Sequence, residues 1–183
     1  MKVSENPWLL MALNNAWANA TLYSAVSALP PDAFAANRPG YFPSLARTLN
    51  HIYEVDLYYL DALEGGGLGR SVYERADILD PARLTKVQSE ADRRFAVYCR
   101  DLVPDRLDTM CRTERKDGNV EEPVAALILH LVQHQIHHRG QAHVQLSDAG
   151  VAPPQLDDFF LEYGRALTAE DYWTEARRPS RPA

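Results

Sequence analysis

The chain has 183 residues, 46% hydrophobic and 24% charged, with a formal net charge of −6 and an isoelectric point near 5.5. That length suits one domain burying roughly 70% of its unfolded surface, with the composition of a globular protein. The acidic balance argues against non-specific nucleic-acid binding, which relies on a basic footprint, and no stretch reaches the roughly 20 apolar residues that span a bilayer.

Asn6-Pro7 reads as a helix N-cap followed by proline at the first helical position. A first helix is predicted from Trp8 to Leu29, stopped by Pro30-Pro31. A loop with Asn37, Pro39, Gly40 and Pro43 leads to Ser44, which caps a second helix of about 20 residues. Leu45, Leu49, Ile52, Tyr59 and Leu63 recur along it at helical spacing, and Gly65-Gly66-Gly67 ends it. After a linker to Leu79, Asp80-Pro81 opens a third helix through Leu84, Val87, Ala91, Phe95 and Tyr98 towards Leu102. Glu90, Asp92, Arg93 and Arg94 give it a charged face, read as exposed.

Between residues 105 and 121, Leu107, Thr109, Cys111 and Thr113 alternate with polar residues and Asp117-Gly118 is a turn pair. A short β-hairpin or an extended crossover is expected there. A fourth helix runs from Glu122-Pro123 to Ala149, with Gly150 as its stop. One or two short helices are expected over residues 157–177, anchored by Phe159, Phe160, Tyr163 and Trp173, with residues 179–183 as a disordered tail. The expected fold is all-α: one domain over residues 1–178, a four-helix bundle with crossover connections.

MKVSENPWLL lacks the apolar core of a secretory signal, since Asn14 and Asn15 interrupt the run. Cys99 and Cys111 have neither CxxC nor zinc-finger spacing and read as a reduced pair in the cytoplasm.

Five of the six histidines lie within residues 130–143. His134 and His138, four apart, are separated by roughly 6 Å of helical rise on one face and can aim two imidazoles at one point. At roughly 100° per residue they continue a stripe of Leu127, Leu131 and Ala142 towards the interior. His130 and His137 lie roughly 60–80° to one side and His143 about 160° away, although spacing alone also permits His130 with His134. His51 shares a stripe of the second helix with Val55, Tyr58 and Ala62, from which it can meet the pair. Three imidazoles would leave a divalent ion open positions, as in catalytic rather than structural zinc sites. Beside this stands the plainer reading of a solvated histidine-rich helix and a hydrogen-bonded core His51. Gln135, not glutamate, follows His134, so the H-E-x-x-H protease mechanism is unsupported.

Among the neighbours, Arg139 reads as an exposed or ion-paired helix arginine ahead of a substrate anchor. Gly140 carries a mid-helix cost of about 1 kcal/mol that close approach of another helix would offset. Gln141 could orient a ligand imidazole. Glu54 and Asp61 read as solvated carboxylates before a base or extra ligand, and Trp8, Trp17, Tyr53, Tyr58 and Tyr59 as core or interface.

Leu49-Asn50-His51-Ile52 and His134-Gln135-Ile136-His137-His138-Arg139-Gly140-Gln141 resemble the two signatures of the DinB/YfiT-like proteins. These are damage-inducible bacterial four-helix bundles, unrelated to the DNA polymerase that shares the name. Asn14-Asn15-Ala16-Trp17-Ala18-Asn19 and the descent from Gly150 into Pro153-Pro154 resemble the family too, and the likeness covers residues 7–157. It implies a bundle with crossovers, a frequent homodimer, and a divalent metal held by His51, His134 and His138. Some relatives are thiol-dependent transferases or isomerases of small molecules.

The resulting expectation is a metal-dependent hydrolase or a thiol-dependent transferase acting on a small-molecule substrate. The metal is zinc or nickel first, iron or copper next, with a low-molecular-weight thiol as co-reactant. The competing expectation is a non-catalytic metal-binding, stress-response or dimeric scaffold protein. Neither nucleic acid nor membrane is an expected partner.

Overall fold

The computed structural model of the chain describes residues 6–27, 29–30, 32–161 and 166–176. Helix α1 spans Pro7–Val26, its first turn capped by the Asn6 side chain accepting from the Leu9 amide. It ends three residues before the expected Leu29, with Ser27 as the cap. Helix α2, Leu45–Glu64, starts on Ser44, whose hydroxyl accepts from the Arg47 amide, and ends where Gly65 takes φ 73°, a conformation glycine adopts without steric penalty. A 3₁₀ turn, Gly69–Glu74, occupies the linker. Helix α3, Pro81–Arg100, is capped by Asp80. Strands β1, Met110–Arg115, and β2, Gly118–Pro123, form the antiparallel hairpin, with Arg115 opposite Gly118. Helix α4 runs Val124–Asp148 and α5 Ala169–Ala176. Tyr163 and the expected tail of residues 179–183 lie outside the described residues.

The architecture is the expected helical bundle with a small two-stranded appendage. α1 packs on α3 and α4, and α2 packs on the same two helices. Consecutive helices α1 and α2 therefore stand on one diagonal and α3 and α4 on the other, so both long connections cross the bundle. No helix among the described residues is long and apolar enough to cross a membrane.

The interior is two apolar clusters. One gathers Leu13 and Trp17 of α1, Leu60 of α2, Phe95 of α3 and Leu127 and Leu131 of α4, closed by Phe159 and Trp173. The other gathers Leu22, Leu49, Ile52, Leu84 and Leu146. Each such fully buried side chain contributes about 1.5–3 kcal/mol over remaining exposed.

Between the clusters every helix turns polar at the same level: Asn15 and Asn19 on α1, Asp56 on α2, Gln88 and Asp92 on α3, Gln135 and Arg139 on α4, all buried. Two sequence expectations are corrected here. Asp92 is not on an exposed face, and Arg139 is only 5% exposed and makes no ion pair among the described residues. Its guanidinium donates to the side-chain oxygens of Asn15, Asn19 and Gln135. Those amides turn their nitrogens to the carboxylates: Asn15 and Asn19 to Asp92, Gln135 to Asp56. Three amide dipoles thus relay one buried cation to two buried anions.

Gly140 is corrected as well, since a Cβ there would meet nothing within 4 Å and no helix presses on it. Glu54 and Asp61 are buried rather than solvated. Glu54 accepts from Arg47, while Asp61 accepts the Leu68 and Gly69 amides and fixes the exit from α2. Cys99 and Cys111 are free and buried.

Candidate metal centre

His51 rides on α2, and His134 and His138 sit one turn apart on α4. The two helices are aligned at this level by the Thr48 hydroxyl donating to Gln145 Oε1 at 2.7 Å. Gln145 also donates to the Phe42 carbonyl at 2.8 Å, drawing the loop before α2 over the site. The buried Asn50 beside His51 exchanges hydrogen bonds with the Ile78 backbone and pins the α2–α3 linker against α2.

The three imidazoles converge, His134 and His138 from one face of α4 as their spacing predicts and His51 as the family resemblance implies. Each offers one ring nitrogen, and these atoms lie within 4.8 Å of one another. His51 Nε2 and His134 Nε2 stand 3.1 Å apart. Two tetrahedral nitrogen ligands at about 2.0–2.1 Å from one ion would be roughly 3.3 Å apart, so this donor set fits a divalent transition metal. His130 and His137 are exposed and His143 is half-buried elsewhere on α4.

Gln141 decides the tautomer of His138. Its Oε1 lies 2.8 Å from His138 Nδ1, and its Nε2 3.0 Å from His137 Nε2. An amide oxygen only accepts, so His138 carries its proton on Nδ1 and leaves the Nε2 lone pair for the cluster. His134 has no such support: its Nδ1 is buried without a hydrogen-bond partner among the described residues.

Burial, followed by mutual repulsion with neighbouring histidines, lowers the proton affinity of all three. His51 falls to about 4, His134 to about 3, and His138 in the same direction. At neutral pH the rings are therefore uncharged, the form that ligates metals.

The site opens into a cleft of about 560 Å³ whose walls include Phe42, Arg47, Glu54 and Tyr73. Phe42 lies with its ring centroid 4.6 Å from that of His51 and 5.6 Å from that of His138. Arg47 is tied to Glu54 and Asp77 at 3.1 and 3.2 Å. Sequence reasoning missed Phe42, Arg47 and Tyr73. An aromatic residue between Gly40 and Pro43 was the available signal for Phe42, whereas Arg47 and Tyr73 carried none.

A diagonally connected helical bundle with three uncharged imidazoles converging between α2 and α4 defines a class: helical proteins with a pocket able to hold a metal. The comparisons narrow the class to one family. A family model described as DinB family matches residues 1–177, and the chain belongs to that family. It is 22% identical over 150 residues to Protein DinB of Bacillus subtilis (strain 168), covering 78% of this chain and 86% of that protein. Its fold resembles the crystal structure of a DinB-like protein from Bacillus cereus ATCC 10987, with a TM-score of 0.59 and 18% identity over 76% of this chain and 90% of that one.

Proposed function

We propose that residues 1–178 form one DinB-like domain that binds a single divalent transition metal through His51, His134 and His138. In this reading the domain uses the ion to act on a small molecule, by hydrolysis or by transfer of a low-molecular-weight thiol. The observation that carries it is the convergence of three neutral imidazoles at the mouth of a cleft, with no fourth protein ligand in the cluster among the described residues. Imidazole donors favour zinc or nickel, with iron or copper next. Bound there, such an ion supplies Lewis acidity and lowers the pKa of a water or thiol beside it.

The chain's own residues have separable tasks. Gln141 holds the His138 ring, Phe42 shields one side of the cluster from water, and Arg47 with Glu54 gives the cleft a polar wall. The homodimer and the small-molecule substrate belong to the same proposal, as does a cytoplasmic location, which two free buried cysteines support.

Elemental analysis of the purified protein beside a His134→Ala variant tests the metal. About one ion per chain in the parent and none in the variant is expected, and equal content in both refutes the assignment. A screen of low-molecular-weight thiols and simple esters then tests catalysis. Turnover abolished by chelator supports it, whereas a metal that only raises the melting point and admits no azide supports the scaffold reading.

A further inference from the structure

Between α1 and α3, the helix pair opposite the histidine cleft, lies a second, partly open cavity of about 370 Å³, inside the usual range of small-molecule sites. Its lining shares no residue with the histidine cleft. Ala16, Ala20 and Ala96 leave the space, and Asn19, Tyr23, Gln88 and Asp92 form its polar side. Those four side chains belong to, or adjoin, the buried polar layer.

Two of them are incompletely bonded. Tyr23 and Gln88 are only 2% and 1% exposed, yet the Tyr23 hydroxyl and Gln88 Oε1 have no hydrogen-bond partner among the described residues. The Gln88 amide cannot be turned to cure this. Its Nε2 already donates to Asp56 at 2.6 Å and to Asp92 at 3.1 Å, so the orphan atom is an acceptor. Asp56 Oδ1 behind it is a further unpaired acceptor. Two carboxyls face one guanidinium whose hydrogen bonds go to amide oxygens, and burial raises both carboxyls until they hold protons near neutral pH, in place of the second cation the layer lacks. The negative field is felt at the Tyr23 hydroxyl, whose pKa burial and then Asp92 and Asp56 raise. Buried acceptors left unpaired are costly, and ionising the second carboxyl without a nearby cation would cost more.

What the cavity lacks is a compact group with several N–H donors and one positive charge, beside an apolar wall of Leu13, Ala16 and Ala96. We infer that this cavity is a binding site for a primary ammonium on a short apolar chain, its head meeting Tyr23, Gln88 and Asp92. Arg93, at the exposed rim, selects against a second cationic group at the far end of the ligand.

The test is a two-dimensional NMR titration of the full chain with n-pentylamine, beside the near-isosteric n-pentanol. Saturable amine binding is expected, about tenfold tighter than the alcohol, as a charge-assisted hydrogen bond to a buried carboxylate requires. Ala16→Leu, which fills the cavity, abolishes it. Tyr23→Phe weakens it about three- to tenfold while leaving the melting temperature in place, because it removes only an unbonded hydroxyl. His134→Ala leaves it intact. The inference is overturned if neither compound saturates, which would mean a cavity holding water alone, or if pentanol binds as tightly as the amine. It is equally overturned if His134→Ala abolishes amine binding while Ala16→Leu preserves it, which would put the amine at the histidine cluster.

Discussion

Replacing Arg139 with methionine keeps most of the side-chain volume and removes the one cation of the polar layer. Three amide oxygens, on Asn15, Asn19 and Gln135, lose a donor while enclosed in protein. Asp56 and Asp92, 3% and 4% exposed, lose the charge that offsets their burial. Removing one partner of a buried charge set destabilises by about 3–5 kcal/mol, and Arg139→Met should fall in that range at pH 8.

The loss must shrink on acidification. Burial pushes the Asp56 carboxyl up to about 7 and the Asp92 carboxyl up to about 8, so at pH 5 the folded protein holds both largely protonated and needs the guanidinium less. Urea denaturation at pH 5 and pH 8, with m-values compared, measures both quantities. Adding Asp92→Asn to Arg139→Met restores the charge balance and should recover part of the loss, a coupling of about 1–3 kcal/mol. A loss below about 1 kcal/mol at pH 8, or one larger at pH 5 than at pH 8, would refute the relay.

Gln141→Leu leaves the His138 ring unanchored and should weaken metal binding at least about tenfold in a chelator competition, whereas Gln141→Glu keeps an acceptor and most of the affinity. Gly140→Ala places a methyl in open space on a mid-helix glycine and should stabilise by about 0.5–1 kcal/mol in the same denaturation assay. A pH series on chelator-treated protein should show stability falling as pH rises from 6.5 to 8. Across that window the folded imidazoles are neutral and the unfolded ones shed their remaining protons, while Asp56 and Asp92, raised on folding, bind more protons folded than unfolded. The slope is up to about 1.4 kcal/mol per pH unit for each proton held. Below 6.5 the opposite term enters, because His51 and His134 resist the protons that the unfolded chain accepts, and the curve should flatten.

The contrast between the two buried sites explains what sequence could reveal. Helix limits at Asn6-Pro7, Ser44, Gly65 and Asp80-Pro81 depend on local capping chemistry, so they were legible within a few residues of where the structure places them. The α1 terminus was overrun because Pro30 marks where a helix must already have stopped, not where it stops. His134 and His138 share a helix, so spacing alone could align them, whereas the stripe on α2 only put His51 within reach and the family resemblance joined it to the pair. The polar layer obeys no such rule. Asp92 lies among Glu90, Arg93 and Arg94 and looks like surface until α1 is known to cover it. Arg139 is legible as buried only when the amides of Asn15 and Asn19, more than a hundred residues away, are brought against it.

That layer also bears on the candidate metal centre. Gln135 and Arg139 each follow a cluster histidine by one residue, so tying Gln135 to Asp56 of α2 and Arg139 to Asn15 and Asn19 of α1 fixes the rotation of α4 about its axis. His134 and His138 are thereby turned towards His51. A bundle core of leucines alone would tolerate rotation and sliding of α4 at small energetic cost, because apolar contacts are not directional. Seven side chains joined by directional hydrogen bonds from all four long helices do not tolerate it. The polar layer is therefore best understood as the device that holds the imidazole rings in register.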